Sequence, residues 1–188
     1  GRTYSMSDWI KPASIVMLVT LLLIAPSLQD RLAEETTKYV EDNQSSHHGL
    51  PSDWVDNQVL CIYFPTESPH SEFSLGVTMI DRNGDVIGTN ENLNRTGACL
   101  GGFDGYSNGL DFMMSSTRMG HGHLSVGYDV GQWGAFVHTI GGLNADTLTG
   151  DFNGAYWHLD HNGAASMVGI GDLVMSEGDV IEWSVGTW

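Results

Sequence analysis

Four histidines stand at spacings that bear on metal chemistry. His121 and His123 flank a glycine and, on a strand, would share a face; His158 and His161, three apart in a strand-like run, would not. The expectation is polar turn histidines and no metal centre. Asp81, Asn83 and Asp85 open like a calcium loop. However, Gly84 takes the fourth place rather than the sixth, and Asn92 stands where a closing Glu would be. A hairpin turn is expected there instead. No nucleophile elbow, phosphate loop or zinc-protease helix occurs. Asp179 and Glu182 read as turn and solvent-face residues. The sequence therefore predicts no enzyme, no catalytic residues and no cofactor.

The elements that would position these residues are mostly strands. Strand-like runs cover 58–64, 75–80, 123–129, 134–140, 155–161 and 180–187, and GLDFMMSSTRMG (109–120) is the best helix candidate. In the last run Ile181, Trp183 and Val185 share one face. Asn-Gly pairs at 83–84 and 162–163 mark hairpin turns, the second supplying both positive-φ positions of a type I′ turn.

The 188 residues carry 23 acids against 7 Lys and Arg, a formal charge of -16. No Lys occurs beyond Lys38. Such a surface repels phosphate, so no nucleic acid partner is expected. Cys61 and Cys99 are expected to form one disulfide in an oxidising compartment, with two buried thiols as the alternative. Asn43 and Asn94 begin N-glycosylation patterns in polar segments, so a glycoprotein is expected by pattern.

An apolar run from Ala13 to Ala25 stands near the start, with basic residues before it and acids after it. It is shorter than the roughly 20 residues of a comfortable span, and a cleavable signal peptide is the competing reading. The charge order predicts a single-pass anchor, N-terminus inside and C-terminus outside. Ile15, Leu18, Leu21, Leu22 and Ile24 would supply the anchoring or assembly surface, and SLQDRLAEETTKYVEDNQ would continue the helix. The expected organisation is a helix over 1–44, a linker over 45–57 and an extracytoplasmic domain over 58–188. Burial of the apolar helix implies a membrane, or other protein subunits in a homo- or hetero-oligomer.

Two resemblances follow from these residues. Pro26 inside a hydrophobic-to-amphipathic helix (residues 9–45) ahead of a β-rich head is similar to a type IV pilin layout. A polar leader, GRTYSMSD, and Ser5 depart from the pilin pattern. The C-terminal half carries Gly154, Tyr156-Trp157, Asn162-Gly163, Gly169-Ile170, Gly178-Asp179, Ile181 and Trp183. That pattern, from about 108 to 188, resembles the transcobalamin-like C-terminal domain family. The resemblance implies an α+β class: the long N-terminal helix, then a small, mainly antiparallel β-grasp-like domain with one helix. In transcobalamin-type carriers such a domain covers one face of a corrinoid, which would place Trp157, Ala165, Ser166 and Gly169 near a ligand. For Trp157 itself a core role is the preferred reading, with the ligand role as what the resemblance implies. The chain is thus read as a cell-surface structural or interaction subunit of a membrane complex or pilus-like filament. The alternative is an anchored binding module for a corrinoid or similar flat compound.

Overall fold

After Gln58, the strand Gln58–Phe64 (β1) is a run of apolar and aromatic residues with no polar alternation, the signature of a strand covered on both faces. A computed structural model, which describes residues 46–65 and 70–188, places it at the centre of a seven-stranded sheet. The other strands of that sheet are Val77–Asp81 (β2), Val86–Asn90 (β3), Thr96–Phe103 (β4), Ala155–His161 (β8), Ala164–Ala165 (β9) and Val180–Thr187 (β10). Their spatial order is β3-β2-β4-β1-β10-β8-β9. β1 runs parallel to β10 and β2 parallel to β4, and the remaining pairs are antiparallel. A smaller sheet holds Val126–Gly131 (β5), Gly134–Ile140 (β6) and Leu143–Asn144 (β7).

Side chains alternate along β1. Leu60, Ile62 and Phe64 join the larger core with Phe112, Ile140, Trp157, Ile181 and Trp183. Val59 and Cys61 point the other way, to a second core with Trp54, Val77, Met79, Cys99 and Val180. Trp54, in the segment expected as a linker, lies against Gly101, where a Cβ would come within 2.2 Å of the indole. Gln58 is buried and satisfied: its amide nitrogen donates to the Tyr106 and Ser176 carbonyls, and its oxygen accepts from Tyr106 N.

Ten strands and one α-helix, Gly109–Ser116 (α1), make the described residues mainly β, which corrects the α+β expectation. The helix stops after eight residues. The hydroxyls of Ser116 and Thr117 donate back to the Phe112 and Met113 carbonyls, and the chain tightens into a 3-10 turn over Thr117–Gly120. The long helix expected over 1–44, with Ile15, Leu18, Leu21, Leu22, Ile24 and Asn43, lies outside the described residues. Among the described residues no helix is long and apolar enough to cross a membrane.

The two expected hairpin turns are present. Asp81 accepts from the amides of Asn83 and Asp85, which closes the β2–β3 turn. Asn162 and Gly163 both have positive φ, 51° and 76°. The Asn162 side chain donates to Asp179 Oδ1 at 2.7 Å and accepts from Val180 N at 2.8 Å. Asp179 Oδ2 accepts from Ser176 N and faces His161 Nε2 at 3.1 Å. Burial alone would raise the Asp179 carboxyl, but bonds from Asn162, Ser176 and His161 outweigh it and hold it below its ordinary value. A depressed carboxyl stabilises the fold above the unfolded pKa of roughly 4, and that stability is lost as pH falls through the folded value. Urea unfolding between pH 5 and pH 2 should show a loss that Asp179→Asn removes. Asp179→Ala should cost about 2–3 kcal/mol at neutral pH.

Candidate functional site

The β5–β6 hairpin and the segment 164–171 converge at one edge of the domain. The backbones pass close to each other there. A Cβ on Gly171 would lie 3.6 Å from the Ala135 Cβ, and one on Gly169 would lie 3.7 Å from the Ala135 carbonyl. Asn108 then ties the segment to the helix, since its Nδ2 donates to the Gly171 carbonyl at 2.7 Å. The same side chain caps α1, accepting through Oδ1 from Leu110 N and Asp111 N. Gly109 is packed against Ile170 too closely to carry a side chain.

Apolar side chains remain in water on this scaffold. Trp133, in the hairpin turn, is 87% exposed and Met167 is 95% exposed. Val130, Phe136 and Val168 are exposed as well. Isolated exposed apolar residues are ordinary; several on two adjoining segments make this edge the candidate site. The Ser166 hydroxyl donates to the Val168 carbonyl and its backbone N–H bonds the Leu159 carbonyl, which holds the 166–168 turn in shape.

The structure divides the four residues assigned to a ligand by sequence. Ala165, Ser166 and Gly169 lie on this segment, with Ala165 exposed in β9. Trp157 does not join them: it is 4% exposed and sits in the larger core. Its ring meets Phe64 edge-on at 6.0 Å, and its Nε1 donates to the Leu143 carbonyl at 3.2 Å. Trp133 was not singled out by sequence, because Gln-Trp-Gly between two strands reads only as a turn.

Cys61 and Cys99 form the disulfide, directly opposed on β1 and β4 with Cα atoms 4.0 Å apart. Asn94 is exposed just before β4.

The histidines are distributed differently from the sequence pairing. His158 Nε2 lies 3.0 Å from Asp160 and His161 pairs with Asp179. His121 bonds the Gly84 carbonyl at 3.0 Å. His123 instead meets two residues absent from the sequence reading, His70 and Glu72. Glu72 Oε1 is 2.5 Å from His123 Nδ1 and 3.4 Å from His70 Nδ1. The signal was a His-x-Glu in PHSEF, silent until folding brings residue 123 to it.

A cleft of about 580 Å³ passes Tyr63, Arg95 and Ser184 and contains none of those four ligand residues. There Arg95 lies 4.5 Å over the Tyr63 ring, and the Tyr63 hydroxyl donates to Glu182 at 2.9 Å. Burial, then the Glu182 charge, pushes the Tyr63 hydroxyl well above its ordinary value. The phenol stays neutral and serves as a structural donor.

Residues 121–187 match the model of a domain family of unknown function (DUF4430). Among solved structures, a candidate metal-binding protein from Ruminococcus gnavus ATCC 29149 is similar, with 19% identity and a TM-score of 0.38. That match covers 60% of this chain and 94% of the other. Haptocorrin in complex with Cbi is similar at 18% identity and a TM-score of 0.35, over 67% of this chain and 25% of haptocorrin. No curated protein matches the chain.

Proposed function

We propose that the described domain is a ligand-binding module whose binding surface is the apolar edge formed by the β5–β6 hairpin and the segment 164–171. The observation that carries this reading is the exposure of Trp133 and Met167, 87% and 95%, on two segments whose backbones lie close at Ala135, Gly169 and Gly171. An indole, a thioether and small residues suit the ring face of a flat compound, because stacking requires a broad face and no inward pocket. The sequence resemblance to transcobalamin-like domains supplies the occupant, a corrinoid. Ala165, Ser166 and Gly169 keep their ligand role in this reading; Trp157 gives its place to Trp133.

The apolar run Ala13–Ala25 supports a second element of the proposal. It holds the module at a membrane or in an assembly, with the acidic domain outside the cytoplasm. The disulfide is in keeping with that compartment. No chemistry is assigned to the module; it binds. Protein purified from its native source should carry the visible absorption of a bound corrinoid. Colourless protein that also fails to take up added corrinoid would refute the reading.

A further inference from the structure

We infer that His70, Glu72 and His123 form a binding site for a divalent transition metal, separate from the proposed ligand edge. The three ligand atoms all lie within 4.8 Å of one another. Two imidazoles and one carboxylate select zinc or a similar borderline metal over calcium or magnesium, which prefer oxygen. Bonds of roughly 2.0–2.2 Å at a tetrahedral angle put neighbouring ligand atoms about 3.4 Å apart. His70 Nδ1 and Glu72 Oε1 stand at that separation, 3.4 Å. His123 Nδ1, at 2.5 Å from the same oxygen, must open by roughly 1 Å to admit the metal. It sits just past the 3-10 turn with its side chain 56% exposed, so the movement needs no repacking of the core.

The surroundings are those of a built site. His70 Nε2 donates to the Gly141 carbonyl at 2.7 Å, which fixes the tautomer that presents Nδ1 toward Glu72. The His70 ring is also held by Phe64 and Phe73, at 5.9 and 5.8 Å. The His123 ring stacks on it at 5.4 Å with an interplanar angle of 10°. Gly141 has φ of +57°, and a Cβ there would lie 2.9 Å from the His123 carbonyl and 3.2 Å from His70 Nε2. Only glycine lets the two histidine-bearing segments close on each other. Glu72 is carried by the short 3-10 turn Ser71–Phe73, whose Phe73 is buried. Among the described residues the site offers three protein ligands, a number that suits a metal with positions open to water or a small ligand.

The test uses the full chain in detergent with Co²⁺ as the coloured probe and Zn²⁺ as the competitor. One equivalent of Co²⁺ should bind with visible absorption and be displaced by Zn²⁺. Glu72→Gln and His123→Ala, both at exposed side chains, should each weaken binding at least about tenfold while leaving the melting temperature of the metal-free protein in place. His121→Ala, which alters the neighbouring histidine, should bind as wild type. No saturable uptake overturns the site. So does wild-type affinity in either variant, or an equal loss in His121→Ala.

Discussion

Trp157→Ala is expected to destabilise the domain by about 3–5 kcal/mol. The side chain is 4% exposed in the larger core, and truncation leaves a cavity beside Phe64 that the surrounding strands cannot close. It also leaves the Leu143 carbonyl without the indole donor. Denaturant unfolding at equilibrium measures the loss. A variant as stable as wild type would place Trp157 outside the core and return it to the ligand site that its sequence context implies.

Reducing the disulfide should have an effect of similar size. The bridge closes a separation of 38 residues, and chain-entropy arguments give roughly 4 kcal/mol for such a loop. Cys61→Ser should therefore lower the melting temperature by on the order of 10 °C in non-reducing buffer. Cys61 and Cys99 are already neighbours in the sheet, so the native state gains little from the bond; the unfolded chain is what it restricts. Equal melting with and without reductant would remove the bridge from the account.

How much of this was legible in the sequence depends on which physical signal each part carries. β1, β6, β8 and β10 coincide with the strand-like runs, because their apolar and β-branched residues reach the core directly. Asn162-Gly163 announced its own turn, since few other pairs adopt two positive φ angles without strain. β4 gave no such signal. Its glycines are there for close approach: a Cβ on Gly97 would collide with the Ile62 carbonyl, and one on Gly101 with Trp54. Such constraints belong to the neighbour, not to the strand's own pattern. β3, mostly exposed at the sheet edge, has no core-facing alternation to read.

The helix was placed correctly at its start but extended too far. Asn108 is a recognisable cap, whereas the tightening at Ser116 and Thr117 depends on hydroxyls that bond backward. The class shifted to mainly β for that reason, and because the long N-terminal helix has no counterpart among the described residues. The site residues divide along the same line. Alternation along β8 puts Trp157 on one face but cannot say whether that face meets core or ligand. His70 and Glu72 were invisible because only tertiary closure brings His123 to them.

Binding of a corrinoid or similar flat compound at the exposed edge is tested most directly by a titration. Cyanocobalamin added to the full chain should quench tryptophan fluorescence saturably at one equivalent. Trp133→Ala should weaken that binding at least about tenfold, as expected for a central aromatic contact. Its melting temperature should stay unchanged, since Trp133 is 87% exposed. Absence of saturable binding, or a Trp133→Ala protein that binds as tightly as wild type, would contradict the account.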